Sequence, residues 1–299
     1  MSDKIQTDIL ERIQLSAVMI KDPAGRNVQI LEDDKALRIA DECCCSAHQV
    51  YTEALRAGIY PYRYLRNRDV ISVREQFKLA NSCVAVVGLG GLGGQVVLLL
   101  TRMGVGHLVV IDNDVFDETN LNRQALSSNK SIGRPKSEEA VDVVASINPG
   151  VTVTPYQMRL DASNARKMLD ASDVVVDALD NIADRFVLES ETKKLGVPLV
   201  HGALAGFEGQ IMTIFPDDPG LKHLYGDEKV EKNDPKRPEA ILGVPTITPS
   251  IISSLQAMEV LKIILKRGKI FRNIMVHVDL EGGQVNQFVF ECEDSSKKR

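Results

Sequence analysis

From Cys83 to Val200 the chain alternates short β-branched runs with amphipathic stretches, and that alternation leaves few architectures open. The runs are Val84–Val87, Leu108–Ile111, Val151–Thr154, Val174–Val176 and Leu199–Val200; between them lie Leu92–Met103, Ser137–Ile147, Ala162–Leu169 and Ile182–Leu195. Strands that are apolar on both faces belong in a parallel sheet with helices on each side, because that layering buries both faces. An α/β fold with a mostly parallel sheet and helices on both faces is therefore expected. After Gly206 the order changes. Gln210–Phe215 reads as another strand and Pro249–Leu265 as a long apolar helix, while Ile274–Val278 and Val285–Phe290 flank Gly282-Gly283 as a hairpin, which predicts an antiparallel C-terminal extension.

Ahead of residue 82 the pattern is helical. Helices are predicted from Asp3 to about Met19 and from Asp33 to about Ala57, joined by a polar link containing Asp22-Pro23-Ala24-Gly25. In the second, Ala36, Ile39, Ala40, Cys43, Ala47, Val50 and Ala54 recur at helical spacing, with Gly58 as a stop. The expected organisation is an N-terminal helical preface over 1–60 and one larger domain over 61–299, interrupted by a charged, proline-containing crossover loop at about 216–243.

Composition narrows the function classes. The apolar fraction of 44% and charged fraction of 26% match a soluble globular chain of 299 residues. A net charge of −5 gives no support for a nucleic-acid binder. No apolar run reaches the roughly 18 residues that span a bilayer, and the first residues mix Asp3, Asp8 and Glu11 with Lys4 and lack a leader-like run. A cytoplasmic location without a membrane role is expected. Five cysteines, three of them adjacent at Cys43, Cys44 and Cys45, suit free thiols better than a disulfide framework. Cys44 and His48 stand i,i+4 in the predicted helix and could share a ligand face; packing as small hydrophobes is the stronger reading. His107, His201, His223 and His277 show no spacing that suggests a ligand set or a triad.

The first strand–helix turn reads Gly88-Leu89-Gly90-Gly91-Leu92-Gly93-Gly94, with glycines at 88, 90 and 93 spaced G-x-G-x-x-G. Glycine there allows a tight turn and close backbone approach, so phosphate oxygens can sit against N–H groups at the positive end of a helix. Asp112 ends the next strand, roughly 20 residues on, where a carboxylate can hold ribose hydroxyls. A nicotinamide-dependent oxidoreductase fits these features. The residues that follow favour a triphosphate: Asp112-Asn113-Asp114, Asn120-Leu121-Asn122-Arg123-Gln124, Gly133-Arg134-Pro135-Lys136 opening a helix, and Asp177-Ala178-Leu179-Asp180-Asn181 ending a strand. Breaking an α–β phosphate linkage needs cations for the phosphates and a carboxylate for Mg²⁺, which prefers oxygen ligands and shares them with substrate phosphates. Asp112 and Asp180 have a plainer alternative as helix caps, and Arg63 and Arg66 as surface or interface ion pairs.

With these motifs and Arg63-Tyr64-Leu65-Arg66, over about residues 61–290, the chain resembles the adenylating enzymes of ubiquitin-like activation, the MoeB/ThiF/HesA group. The resemblance implies a Rossmann-like sheet and an ATP site in which Gly88, Gly90, Gly91, Leu92 and Gly93 line the nucleotide. It also implies that Asp112 binds ribose with Asp114 nearby, that Asn120, Arg123 and Lys136 hold phosphates beside Gln124, and that Asp180, next to Asn181, ligates Mg²⁺. Arg66 matches the arginine that family dimers contribute across their interface. The implied substrate is a small ubiquitin-fold carrier protein ending in Gly-Gly, whose carboxylate attacks the α-phosphorus of ATP; Arg66, Arg123, Lys136 and Asp180 then carry the catalysis. Activation of a small molecule or a modified tRNA base is the alternative within the family, and nucleotide holding without turnover is a third reading. The chain departs from many relatives in having no cysteine between Cys83 and Cys292, so no four-thiolate zinc site is expected there and no thiol from that region can bond the carrier.

Overall fold

The computed structural model describes residues 2–226 and 241–290, arranged as two compact units. The first takes in 1–82 together with 100–107 and 144–152. It begins with α1 (Ser2–Ser16), β1 (Val18–Lys21) and β2 (Asn27–Leu31), the two strands pairing antiparallel from Val18↔Ile30 to Lys21↔Asn27. This corrects the expected helix to Met19 and its polar link. The link is a hairpin turn: Asp22 Oδ1 accepts from the backbone N–H of Ala24 at 2.9 Å and of Arg26 at 2.8 Å, and Gly25 takes φ +78°.

The single helix expected over 33–57 is two, α2 (Asp33–Glu42) and α3 (Ala47–Arg56). Cys44, at φ +50°, breaks the path, and Ser46 starts α3 with a capping box closed by Gln49. Cys44 and His48 therefore do not form a helical i,i+4 pair. The His48 ring meets the carbonyl of Gly150 through Nδ1 at 3.0 Å. The apolar stripe does face a core, in which Ala36, Ile39, Ala40, Val50 and Ala54 pack with Ile9, Ile13 and Tyr51.

After β3 (Tyr60–Pro61), parallel to β2, come a 3-10 turn (Tyr62–Asn67) and α4 (Val73–Ala80). This stretch extends the first unit beyond residue 60 because it is bonded into it. Arg63 grips the Asp33 carboxylate, donates to the Ile147 carbonyl at 2.7 Å and lies over the Tyr51 ring, while Asn148 donates to the Tyr64 hydroxyl at 2.8 Å. Arg63 is thus a structural ion pair.

The strand–helix alternation, most of it in the second unit, runs β4 (Cys83–Val87), α5 (Gly91–Met103), β5 (His107–Ile111), α6 (Lys136–Ile147), β6 (Thr152–Tyr156), α7 (Ala165–Leu169), β7 (Val174–Asp177) and α8 (Ile182–Leu195). Then follow β8 (Leu199–Ala205), β9 (Glu208–Ile214), α9 (Lys222–Tyr225), α10 (Ile247–Leu265), β10 (Ile274–Asp279) and β11 (Gln284–Val289). The eight-stranded sheet runs β11-β10-β9-β8-β7-β4-β5-β6. β7 is parallel to both β4 and β8, with Val84↔Val174 and Val175↔Leu199 in register, whereas β8, β9, β10 and β11 pair antiparallel in succession. The α/β sheet flanked by helices and its antiparallel C-terminal extension are as expected.

By length and composition α10 could cross a membrane, but 61% of its most apolar stretch is buried against the protein. Its polar side chains are anchored in the sheet: Gln256 donates to the Asp177 carbonyl at 2.8 Å, and Glu259 accepts from the Thr213 hydroxyl at 2.6 Å. It is a core helix. Of the expected crossover loop at 216–243, residues 227–240 lie outside the described residues.

Candidate active site

The carboxyl ends of β4, β5, β6 and β7 open onto one cleft of about 560 Å³, within the range that small-molecule sites occupy. It is lined by Gly88, Gly90, Gly91, Leu92, Asp112, Asp114, Asn120, Arg123, Gln124, Lys136, Asp180 and Asn181, twelve of the residues singled out from sequence. Gly93 sits behind the lining. Arg66 belongs to the first unit, exposed on the 3-10 turn.

Two glycines cannot be replaced without moving backbone. Gly88 adopts φ +91°, and a Cβ there would fall 2.6 Å from the Ala178 carbonyl oxygen; a Cβ on Gly93 would fall 1.8 Å from the oxygen of Gly88. The loop thereby presses against the turn after β7 and opens directly into α5, whose first N–H groups face the cleft end where an anion is favoured. Asp112 fastens this loop to the next one. Its Oδ2 accepts from Leu89 N at 2.6 Å and its Oδ1 from Asp114 N at 2.8 Å. Burial pushes the Asp112 carboxyl above the ordinary aspartate range, and the Lys136 charge with these two N–H groups only partly offsets it. Asp112 caps no helix, and the cap of α8 is Asn181, which accepts from Asp184 N at 2.9 Å, rather than Asp180.

Lys136 opens α6 with only 5% of its surface exposed, its Nζ 3.2 Å from Asp114 Oδ2. A buried ammonium at a helix start opposes the helix dipole, an arrangement that becomes favourable once an anion shares the site. Arg123 donates to the Thr119 carbonyl at 2.7 Å and to Asn122 Oδ1 at 2.9 Å, and among the described residues it pairs with no carboxylate. Gln124 is buried and its Oε1 has no hydrogen-bond partner among the described residues, an acceptor that calls for a donor. Asn120 is partly committed, its Oδ1 accepting from Asp117 N at 3.1 Å.

The cleft also holds residues that reading the sequence missed. Met158, Arg159 and Leu160 follow β6, and Asp184 and Arg185 lie on the first turns of α8. Arg159 Nη2 donates to Asp184 Oδ2 at 2.6 Å. Their signal was positional: Met158 to Leu160 follow a strand end in an α/β sheet, where ligands bind, but β6 runs to Tyr156, past its predicted end at Thr154. Three cationic side chains (Arg123, Lys136, Arg159) and four acidic ones (Asp112, Asp114, Asp180, Asp184) meet here, while Arg185 borders the cleft with its guanidinium turned back onto the Leu179 carbonyl and the Tyr225 hydroxyl. That mixture suits a polyanion with a cation. Among the described residues no three His, Cys, Asp or Glu side chains gather closely enough to hold a metal ion alone. Mg²⁺ habitually completes its shell with water and substrate phosphates beside one or two carboxylates.

The chain is 39% identical over 209 residues to the SAMP-activating enzyme E1 of Haloferax volcanii, spanning 69% of this chain and 77% of that one. It is 38% identical over 200 residues to the molybdopterin-synthase adenylyltransferase of Escherichia coli, spanning 65% and 77%. Against the adenylyltransferase and sulfurtransferase MOCS3 of Arabidopsis thaliana it is 33% identical over 261 residues and spans 56% of that protein's length. In fold it is similar to a crystal structure of E. coli MccB with MccA-N7isoAsn, with a TM-score of 0.66, 20% identity, and coverage of 78% of this chain and 73% of that one. The sequence pattern of the ThiF family matches residues 64–298, and the chain belongs to that family.

Proposed function

We propose that this protein adenylates the C-terminal glycine of a small ubiquitin-fold carrier, using ATP and releasing pyrophosphate. The observation that carries the reading is the convergence of Lys136, Arg123 and Asp180 with the glycine loop and Asp112 on one cleft. A hydride-transfer site has no need of that array. Names of relatives lend support, since the E. coli enzymes that the chain resembles include a sulfur carrier protein ThiS adenylyltransferase, 34% identical over 196 residues.

In this reading the N–H groups at the start of α5 and the cations of Arg123 and Lys136 bind the phosphates, Asp112 orients the ribose, and Asp180 ligates Mg²⁺. The metal, when bound, neutralises charge across the phosphates. An ionised carboxylate needs no general base, so the chain's contribution is positioning and charge neutralisation. The carrier's carboxylate oxygen forms the bond to the α-phosphorus as the bond to the β-phosphate oxygen breaks. Gln124 Oε1 would gain a donor from the ligand. The reading also includes a cytoplasmic homodimer in which Arg66 of one copy serves the other's cleft.

The test is ATP–pyrophosphate exchange against candidate carriers ending in Gly-Gly. Arginines that face transferring phosphates contribute on the order of 10³–10⁵ in rate. Arg123→Ala and Arg66→Ala should accordingly lose nearly all exchange while keeping their fold. Exchange within about threefold of the parent would reject their roles.

A further inference from the structure

Behind Asp180 lies a buried polar network that the reaction as described leaves unused. Asp177, the last residue of β7, is fully buried. Its Oδ1 accepts from Leu179 N at 3.0 Å, and its Oδ2 accepts from His201 Nδ1 at 2.7 Å while facing Arg185 Nε at 3.8 Å. Arg185, 3% exposed, donates from Nη2 to the Leu179 carbonyl at 2.6 Å and from Nη1 to the Tyr225 hydroxyl at 3.1 Å. Tyr225 also accepts from Gln210 Nε2 at 3.0 Å, and its O–H lies 3.3 Å from His201 Nε2. Burial lowers the imidazole's proton affinity, so a neutral ring that donates from Nδ1 and accepts at Nε2 fits both of its partners, Asp177 and Tyr225.

The effect is local and specific. Asp177 holds the N–H of Leu179, Arg185 holds its C=O, and Gln256 donates to the carbonyl of Asp177 at 2.8 Å. Three backbone groups of a single turn are fixed by side chains, and the next residue along that turn is Asp180. Burying a guanidinium and a carboxylate this deeply is costly, and apolar side chains would often serve stability as well. Bonds that fix the peptide just before a metal-ligating carboxylate, and so orient that carboxylate, give the arrangement a purpose.

We propose that Arg185 is a positioning residue for Asp180, supported by Tyr225 and the Asp177–His201 pair, and that it acts by fixing the Leu179 peptide. The inference rests on the reading of Asp180 as a metal ligand. Its test uses the full-length protein with a nonhydrolysable ATP analogue, following Mn²⁺ binding by electron paramagnetic resonance and analogue binding without metal by calorimetry. Arg185→Lys should weaken Mn²⁺ binding by roughly 10- to 100-fold, as loss of an outer partner does in metal sites, and leave metal-free analogue binding within about twofold. Tyr225→Phe, which removes one hydroxyl, should weaken Mn²⁺ binding in the same direction by a smaller factor.

A residue that merely supports the fold would lower both affinities together, and that result would overturn the proposal. So would Mn²⁺ binding within about twofold of the parent in both variants. Should Arg185→Lys not fold by circular dichroism, Tyr225→Phe decides alone: unchanged Mn²⁺ binding there overturns it. Asp180→Asn separates the two layers. If that variant binds Mn²⁺ as tightly as the parent, the metal-ligand reading fails and this inference goes with it.

Discussion

Replacing Asp112 by Asn changes one oxygen for an NH₂ group and tests the loop-fastening geometry directly. Each carboxylate oxygen of Asp112 accepts a different backbone N–H, from Leu89 at 2.6 Å and Asp114 at 2.8 Å. Asparagine has a single acceptor oxygen, so one orientation of the amide turns its NH₂ toward Leu89 N and the other toward Asp114 N. Either way one donor faces another. A charge-assisted hydrogen bond contributes about 1.5–3 kcal/mol, and a buried donor left unsatisfied costs a similar amount. The loop can relax to recover part of this in the free protein, but ATP binding must then restore the bonded geometry without the charge that would hold the ribose hydroxyls. The expected result is ATP binding weaker by on the order of 10- to 100-fold, since about 1.4 kcal/mol is tenfold, with a lower melting temperature in the absence of nucleotide. Isothermal calorimetry gives the first quantity and scanning calorimetry the second. If Asp112→Asn binds ATP within about twofold of the parent and melts within about 1 °C of it, Asp112 does not fasten the loop as argued.

Three further outcomes are expected. Gly93→Ala forces the Gly88 carbonyl away from a Cβ that would lie 1.8 Å off, so the rise in melting temperature on adding ATP should vanish; a rise equal to the parent's would contradict the close packing. Glu259→Ala removes the fully buried carboxylate that accepts from Thr213 Oγ1 and Phe271 N and pairs with Lys262. Breaking such a pair costs about 3–5 kcal/mol, or a fall on the order of 5–8 °C, seen by thermal denaturation. The third concerns acid stability. Burial pushes Asp33 upward, but hydrogen bonds from Arg63 and Tyr51 outweigh it and hold the carboxyl below its usual range. A depressed pKa stabilises the fold above the unfolded value near 3.9, and the benefit is lost as pH falls through the folded value. Because the carboxylate is more than a third exposed, about 1 kcal/mol is a ceiling. Asp33→Asn should therefore be less stable at neutral pH and converge with the parent as pH falls through the depressed folded value; parallel pH curves would refute the linkage.

The central strands were legible because Cys83–Val87, His107–Ile111 and Val174–Asp177 are almost entirely buried apolar runs, a pattern that needs no tertiary information. Most of the cleft lining was legible for the related reason that its residues follow strand ends in recognisable clusters. The preface was harder. Val18–Lys21 is four residues long and mostly exposed, with Met19 at 63%, so no alternation marks it as half-buried. The helix break was hidden because Cys43 and Cys45 pack on the same core as the helical stripe and no Gly or Pro intervenes, although Ser46-Ala-His-Gln49 carried the start signal of a capping box. Arg159 and Arg185 could not be foreseen from spacing. Arg159 depended on where β6 stops, and Arg185 on a side chain folding back from α8 to the turn before it.

Gly88 against Ala178 has a consequence for how a nucleotide would be received. Because the loop after β4 and the turn after β7 interlock at distances that exclude even a methyl group, neither can swing while the other stays still. The glycine-loop and carboxylate-bearing walls therefore form one preset bed, and the ordering they require is met during folding instead of at the moment of encounter. Selectivity in such a bed comes from shape: a ligand that fills one wall but strains the other finds no hinge to absorb the misfit.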